Sequence, residues 1–337
     1  MAEAGFGSLG FPEEYGGTPC DAVTLSLICE KVAHAGLQSG YGGSIVSAGD
    51  IMEFGSEEQK QRVLGFLAEG KLPFALGITE PGAGSDNSGM QTSATWKDSV
   101  VVLNGTKTLV TGAQTAQDIL VLAVDTDATD PRQAISMFLV PLSTPGITIS
   151  PIEKIAWHTT NTNEVFFDSV EVPTSALVGR KGAGFVQLMR NFELERLVLS
   201  AMVLGQAQAA FDDAARYAAT RVQFKQPIGQ FQQIQLKLTE MAIKLENMRN
   251  FVHKTAWMLD QGQSLRTQGA MCKRYCAQAG WEVVDDALQI HGGIGFTEGV
   301  RISRIWRDQR VHRIGGGTDE VMVHIVGRQI VKDHTPR

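Results

Sequence analysis

A glycine-rich segment near the carboxyl end of the chain has the composition of a loop that lies against another group. The segment is RIGGGTDE, residues 313–320, and it precedes a helix predicted over 319–332. Three successive glycines lose much backbone entropy on ordering, so close approach of another group explains them better than a tight turn alone. The turn is nevertheless kept as the alternative. Asp319 and Glu320 begin the helix, where the dipole accounts for acidic residues, so the loop itself offers no side chain for proton transfer.

Glu195 is the strongest candidate for that group. It belongs to NFELERLVLSA, and the apolar residues at helical spacing around it are Leu188, Phe192, Leu199 and Met202. Glu195 therefore lies in a stripe that should face the interior, where burial raises the pKa of a carboxyl group towards a value useful for acid–base chemistry. The helix alone leaves a second interpretation open, in which Glu195 reaches solvent or pairs with an arginine.

Glu193, two residues earlier, shares a helical face with Arg190 and Arg196. This spacing predicts ion pairs at the surface or at the edge of a ligand.

A second glycine-rich segment, GITEPGAGSD, covers residues 77–86. Gly82 and Gly84 permit close backbone approach, and Thr79, Ser85 and the local amides can donate hydrogen bonds to an anion or to the polar edge of a ring. An ordinary turn is the alternative interpretation.

The elements that must position these residues fall into three zones: 1–72, 73–178 and 179–337. The first looks helical from residue 20 onward, with Ser56 as an N-cap. The second contains short β-rich runs that predict a small β-barrel or sandwich, including a hairpin at Asn104–Gly105. The third contains four long helices with short connections, which predict a four-helix bundle.

Composition excludes several classes of protein. The 337 residues are 43% hydrophobic and 20% charged, as in globular proteins, and the net charge of −6 argues against nucleic-acid binding. The apolar runs are too short to span a membrane, and no export signal is visible, so a cytoplasmic location is expected. Cysteines 20, 29, 272 and 276 lack companion ligands at metal-binding spacing, so reduced thiols and no metal site are expected.

Several motifs, in the right order, resemble the acyl-CoA dehydrogenase family. They are TEPGAGSD at 79–86, LVTG at 109–112, RVQFKQPIGQFQ at 221–232, QIHGGIGF at 289–296 and GTDE at 317–320. The resemblance covers essentially the whole chain and is closest to the crotonobetainyl-CoA reductase and short-chain branch. It implies a mainly α fold with an N-terminal helical domain, a middle β-barrel and a C-terminal four-helix bundle, usually assembled as a homotetramer, or as a dimer, that binds FAD.

The resemblance also implies a reaction. A glutamate removes a proton from Cα of an acyl-CoA thioester while hydride leaves Cβ for flavin N5, or the reverse reaction reduces an enoyl-CoA. Many members carry that glutamate at the position of Gly316, whereas others carry it before an arginine on a bundle helix, where Glu195 stands here. Glycine at 315 and 316 would leave room for Glu195 and the thioester, and the Gly316 amide would hydrogen-bond the thioester carbonyl.

Further roles follow from the resemblance alone. The residues it assigns to FAD are Leu76, Ile78, Thr79, Gly84, Ser85, Leu109, Thr111, Arg221, Gln223, Phe224, Gln232, Gln289, Gly292, Gly293, Thr318 and Glu320. Those it assigns to the substrate are Ser85, Glu193, Arg196, Gly315 and Gly317. An electron-transfer flavoprotein would exchange electrons with the flavin.

The chain departs from the family pattern in three places. The usual first helices are missing, so the N-terminal domain is expected to be truncated; Leu109 replaces an aromatic residue, and Lys225 a glycine. Two alternatives therefore stay open: an acyl-CoA oxidase that uses O₂, and a non-catalytic subunit that binds FAD or CoA.

Overall fold

The architecture comes from a computed structural model that describes residues 9–37, 48–69, 71–130 and 134–336. The chain divides into two compact units. The first contains Met1–Cys20 and Ser39–Phe192, and the second contains Asp21–Gln38 and Glu193–Arg337. In the described parts of the chain, no helix combines the length with the apolar character that a bilayer crossing requires.

The helices of the first third form where the sequence predicts them. Helix α1 spans Ala22–His34, α2 includes residues 48–54, and α3 spans Glu57–Ala68; residues 38–47, which the helical prediction also covers, lie outside the described residues. Ser56 caps α3 as predicted: its hydroxyl accepts from Gln59 N at 3.2 Å, and Gln59 Oε1 accepts from Ser56 N at 3.0 Å. This reciprocal box satisfies two amides that have no partner inside the helix.

The middle of the chain forms one seven-stranded sheet. Its strands are β1 (Phe74–Gly77), β2 (Ser93–Trp96), β3 (Val100–Thr111), β4 (Asp118–Asp125), β5 (Ile135–Pro141), β6 (Ile147–Pro151) and β7 (Thr162–Pro173). They follow the order β1-β4-β2-β3-β7-β6, and β5 pairs with β4. Because β4 is buried along nearly its whole length, it has the continuous apolar sequence DILVLAVD rather than an alternating one.

The predicted hairpin at Asn104–Gly105 is wrong. Both residues lie inside β3, at a point where the pairing of β3 with β7 shifts register between Leu103 and Gly105. Gly105 has φ +145°, and a Cβ there would lie 2.6 Å from the Thr92 Cα. The glycine therefore serves a β-bulge and a close backbone approach, two roles that share the residue type of a turn.

The second half of the chain is helical. The long helices are α4 (Gly184–Thr220), α5 (Gln232–Asp260), α6 (Arg266–His291) and α8 (Asp319–His334), and a two-stranded ribbon, β8 (Val222–Gln223) with β9 (Gln226–Pro227), joins α4 to α5. Residues 241, 245, 248 and 252 of α5 are buried at helical spacing. A further helix, α7 (Arg301–Gln309), lies in the charged segment before the glycine loop and is not predicted from the sequence.

Candidate active site

Glu195 lies on α4 within an apolar surrounding. Leu188 and Met202, which share its helical face, are buried, and Glu195 itself is partly buried. No hydrogen-bond donor reaches its carboxyl group from the described residues. Burial raises the pKa of Glu195 to about 7, while the positive charges of Arg196 and Lys273 oppose the rise. The group can therefore gain or lose a proton near neutral pH.

The glycine loop passes directly over Glu195. Gly316 and Gly317 have φ +64° and +91°, in the left-handed region that favours glycine. A Cβ on Gly316 would lie 2.6 Å from Leu199 Cδ1 and 3.6 Å from Glu195 Oε1. A side chain at position 316 would therefore compete for the space that Leu199 and the carboxyl group occupy.

Gly315 differs from Gly316. Its φ is not positive, and a Cβ there would meet only Val311 O, at an ordinary 3.6 Å. Within this chain, only Gly316 of the two is restricted to glycine by its immediate surroundings.

Both ends of the loop are anchored. Ile314 N and Gly315 N donate to Val311 O, each at 2.8 Å, and the Thr318 hydroxyl caps α8 by accepting from Val321 N at 3.2 Å. The amide of Gly316 lies between these anchors and has no hydrogen-bond acceptor in the part of the chain that the structure describes. It is available to a carbonyl oxygen of a bound molecule.

Residues at the start of α8 have structural partners. Asp319 is buried and pairs with Arg313 at 2.7 Å. Glu320 is exposed in the first turn, where its own backbone amide and the Thr318 hydroxyl hold the pKa of its carboxyl group below the usual range. These contacts account for both acidic residues without a ligand.

The predicted ion pairs of Glu193 are replaced by another role. Glu193 accepts a 2.6 Å hydrogen bond from Leu265 N and lies 3.4 Å from Ser264 Oγ, so it caps the beginning of α6. Arg190 pairs instead with Glu53 at 2.8 Å. Helix termini leave amides unsatisfied, and a carboxylate from a neighbouring helix supplies the acceptor here.

Two further titratable residues beside the glycine loop were not predicted from the sequence. Lys273 of α6 is 2% exposed and donates a hydrogen bond to Gly317 O. His312 is buried as well, and burial together with the charge of Lys273 lowers the pKa of its imidazole to about 3. Burial of a lysine or a histidine depends on tertiary packing and leaves no pattern in the sequence.

In the first unit, the segment TEPGAGSD is held by a buried ion pair. The Lys107 ammonium lies 2.7 Å from Glu80 Oε1 and donates to Ile78 O at 3.2 Å. Glu80 also accepts from Gln91 N at 2.7 Å and from Thr92 N at 2.9 Å. The sequence analysis assigned no role to Glu80 or Lys107, yet they fix the ends of this loop.

The candidate flavin residues of the first unit surround that anchored loop. Thr108 N donates to Thr79 O at 2.8 Å, which joins the loop to β3. Leu109 follows at a second register shift of β3; it has φ +56° and is 60% exposed. Thr111, Gly84 and Ser85 are exposed, whereas Leu76 and Ile78 pack partly against the core.

The candidate flavin residues of the second unit are exposed at two places. Arg221, Gln223 and Phe224 belong to the β8–β9 ribbon and the residues next to it, where Phe224 is 88% exposed with φ +50°. Gln232 starts α5. Gln289, Gly292 and Gly293 form the exposed end of α6.

These features suit a flavin. Leu109 offers an apolar surface in a strained left-handed conformation, beside exposed hydroxyls that suit the polar edge of a ring. A Cβ on Gly82 or Gly84 would meet nothing within 4 Å, so the backbone there is open to a ligand.

Comparison with known proteins gives a consistent result. Models of the N-terminal, middle and C-terminal domains of acyl-CoA dehydrogenase match residues 1–71, 75–170 and 182–331. Probable acyl-CoA dehydrogenase YdiO of Escherichia coli K12 is 48% identical over 335 residues, which are 99% of this chain and 88% of the relative.

Two solved structures have the same fold. Butyryl-CoA dehydrogenase from Megasphaera elsdenii superposes with a TM-score of 0.93 at 34% identity, over 98% of this chain and 88% of that one. A chain in a structure of the electron transferring flavoprotein of Acidaminococcus fermentans gives 0.94 at 35% identity, over 99% and 88%. The chain therefore belongs to the acyl-CoA dehydrogenase family and is an FAD-dependent oxidoreductase of acyl-CoA thioesters.

Proposed function

We propose that Glu195 is the base that removes the α-proton of a short-chain acyl-CoA. The observation that carries this assignment is the space at Gly316, where a Cβ would lie 3.6 Å from Glu195 Oε1. Glycine at position 316 leaves that space to a carboxyl group from α4. A short acyl group agrees with the sequence resemblance to the short-chain branch and with the butyryl-CoA dehydrogenase relationship.

The surroundings of Glu195 suit proton transfer. Its carboxyl group has no hydrogen-bond donor among the described residues, and burial raises its pKa to about 7. A base with this pKa is ionised in a large fraction of molecules at neutral pH and is stronger than an exposed carboxylate. We expect kcat/KM to rise with pH through about 7, because the base must lose its proton before it acts.

The amide of Gly316 is the proposed donor to the thioester carbonyl. Loss of the α-proton places negative charge on that oxygen, and a fixed amide stabilises the charge without reorganising. Gly315 and Gly317, on either side of Gly316, are proposed to contact the substrate as well. The residues proposed to lie along its CoA arm are Ser85, Glu193 and Arg196. Bound FAD would supply the acceptor for the hydride from Cβ, and Glu195 would take the proton from Cα, so that both broken C–H bonds are accounted for.

The remaining residues are proposed to hold the cofactor. In the first unit, Thr79, Leu109 and Thr111 serve the flavin ring with Leu76, Ile78, Gly84 and Ser85. In the second unit, Thr318 and Glu320 are proposed to serve the flavin, and the exposed groups around Arg221 and Gln289 serve FAD of another subunit. Their exposure within one chain supports this role, because a residue that contacts a partner's cofactor must be accessible.

The assembly and its partners follow from the same proposal. We infer a homotetramer, or a dimer, in the cytoplasm, with electrons passing to an electron-transfer flavoprotein. The likeness to a chain in the Acidaminococcus structure supports such a partner. The division 1–72, 73–178 and 179–337 is our proposal for the domains, and the matches to the three family models support it.

The test is an anaerobic titration of the FAD-loaded protein with butyryl-CoA, in which loss of the oxidised flavin absorbance is followed. Glu195→Gln should bleach at a rate about 10²–10⁴-fold below that of the parent. Glu240→Gln, an exposed position on α5, is the control and should match the parent.

Each other outcome is informative. Equal bleaching in the parent and in Glu195→Gln would assign the base elsewhere. No bleaching in either protein, with FAD bound, would reject butyryl-CoA as a substrate or favour the non-catalytic subunit. Fast reoxidation of the reduced parent in air would favour an oxidase.

A further inference from the structure

A buried lysine on α6 adjoins the glycine loop. Lys273 is 2% exposed, and its Nζ donates to the carbonyl oxygen of Gly317. It forms no ion pair with a carboxylate of the described residues. An ammonium group is costly to bury, and a structural lysine normally recovers that cost through a direct carboxylate partner. The partner here is instead the loop that carries the Gly316 amide.

The surroundings of Lys273 contain charges from every neighbouring element. Asp319 of α8 and Glu195 of α4 bring carboxyl groups, whereas Arg196 of α4 and Arg274 of α6 bring guanidinium groups. His312, from the turn Arg310–Arg313, is held neutral, since its pKa is about 3. Burial lowers the pKa of Lys273 to about 8, with Asp319 the strongest opposing influence. Lys273 is thus positively charged at neutral pH.

The hydrogen bond from Lys273 reaches a part of the loop that no other hydrogen bond from the described residues holds. Gly316 and Gly317 are two successive left-handed glycines, and glycine has the largest backbone freedom of any residue. The anchors at Val311 and Thr318 lie on either side of them. The bond to Gly317 O holds the segment between these anchors and so fixes the direction of the Gly316 N–H.

The charge of Lys273 acts on the same site in a second way. It favours the ionised form of Glu195, in the same sense as Arg196. With a neutral side chain at position 273, only Arg196 would oppose the rise that burial causes in the pKa of Glu195.

We propose that Lys273 is a positioning residue for proton abstraction: its ammonium group holds the Gly316–Gly317 loop in place for the thioester carbonyl and stabilises the carboxylate of Glu195. The second part rests on the proposed role of Glu195 as the base, whereas the first part does not.

The test compares Lys273→Met, Lys273→Gln and Lys273→Arg as FAD-loaded proteins. Lys244→Met is the control, because Lys244 belongs to the same bundle and pairs with Glu282 at 2.9 Å. The measurements are kcat and KM for butyryl-CoA across pH, and the Kd of crotonyl-CoA from its perturbation of the flavin spectrum. FAD content and Tm show whether each variant has folded.

For Lys273→Met we expect kcat to fall about 10- to 100-fold, because a misplaced donor loses stabilisation of the developing charge. The acid limb of its kcat/KM profile should move up by about half to one pH unit, because a positive charge near Glu195 is lost. Lys273→Arg should restore the acid limb, and Lys244→Met should match the parent. If Lys273→Met does not fold, Lys273→Gln replaces it, with the same shift of the acid limb.

The same measurement in the Glu195→Gln variant tests the role of Lys273 independently of the role of Glu195. In Glu195→Gln, Lys273→Met should still weaken crotonyl-CoA binding several-fold, since the loop contacts the carbonyl whichever group is the base. If Glu195→Gln alone keeps full activity, Glu195 is not the base. The Kd of crotonyl-CoA with and without Lys273→Met still tests whether Lys273 positions the loop. An FAD-replete Lys273→Met or Lys273→Gln with the parent's acid limb and the parent's Kd would overturn the proposal.

Discussion

Two glutamates of this chain, Glu80 buried and Glu195 partly buried, each have a lysine nearby and have opposite acid–base properties. In the first unit, Glu80 contacts Lys107 at 2.7 Å and also accepts from two backbone amides. In the second unit, Glu195 has no donor among the described residues, and Lys273 donates instead to Gly317 O. Burial would raise the pKa of Glu80, but its hydrogen bonds outweigh burial and hold the pKa below the usual range. Burial prevails at Glu195, whose pKa is about 7.

The difference shows how residues of the same type become structural or reactive. A carboxylate whose lone pairs are filled by donors is fixed in its ionised form, whereas one that is buried without donors can exchange a proton near neutral pH. The loop beside Glu80 is held by Glu80 itself. The loop beside Glu195 is held by Lys273, so the Glu195 carboxylate stays available for proton transfer.

The largest expected effect is on stability, and it should differ between variants of Lys107 and Lys273. Lys107→Met should lower the free energy of unfolding by about 3–5 kcal/mol, because Glu80 would keep a buried charge without its main partner. Lys273→Met should cost less, since only a carbonyl loses its donor. Urea unfolding of both variants at pH 7 measures the difference. An equal loss in the two variants would contradict the comparison.

A smaller effect distinguishes the glycines of the two loops. Gly316→Ala should lower stability by about 2 kcal/mol, because alanine is strained at φ +64° and its Cβ would lie 2.6 Å from Leu199 Cδ1. It should also slow flavin reduction by butyryl-CoA. Gly315→Ala and Gly82→Ala are the controls, since a Cβ at 315 makes only an ordinary contact and one at 82 makes none. If Gly316→Ala has the same Tm as the two control variants, the loop accommodates a Cβ at position 316 without strain.

These contrasts also show which features of the structure can be predicted from the sequence alone. The capping box at Ser56 and the acidic start of α8 are local signals, and they are visible in a few consecutive letters. Asn104–Gly105 is a local signal that tertiary packing overrides, because the glycine is needed against Thr92 inside β3. Local patterns therefore predicted most helices and misplaced a turn.

The site shows the same division. Helical spacing placed Glu195 among apolar residues, and the family resemblance, in which many members carry a glutamate at the position of Gly316, assigned the base to Glu195. Lys107 and Lys273 had no such signal, since a lysine in a helix or strand is normally solvent-exposed and its burial depends on distant parts of the chain. Helix α7 was missed because only Ile302 and Ile305 among its nine residues are buried hydrophobics.

A pH-dependent effect on stability should follow from Glu195. Its folded pKa of about 7 lies above the ordinary glutamate pKa of 4.5, so the protonated form is favoured on folding. Folding stability should therefore be unaffected below about pH 4.5, decline between about pH 4.5 and about pH 7, and change little above that. Glu195→Gln removes this decline and should be about 1–2 kcal/mol more stable than the parent at pH 8, relative to their difference at pH 4. Glu80→Gln should be less stable than the parent at pH 8, and a shift of the same sign in both variants would contradict the comparison.

Asp118 gives the smallest effect and an intermediate case. Its side chain is fully buried at the start of β4, where Arg62 contacts one carboxyl oxygen and the other has no partner among the described residues. Burial raises its pKa to about 6 despite the charge of Arg62. A single partner that is itself 39% exposed thus only partly offsets the loss of water, unlike the three donors around Glu80.

The expected consequence is a loss of stability between pH 3.8, the ordinary pKa of an aspartate, and about pH 6, with little further change above that. Asp118→Asn should remove this slope, so that its stability relative to the parent rises by about 1 kcal/mol from pH 3.5 to pH 7.5. Asp98→Asn, at an exposed position, provides the control for the lost charge. Urea unfolding at both pH values measures the change. A relative stability of Asp118→Asn that falls over this range would mean that Arg62 holds Asp118 as firmly as Lys107 holds Glu80, and Asp118 would then belong with the structural carboxylates.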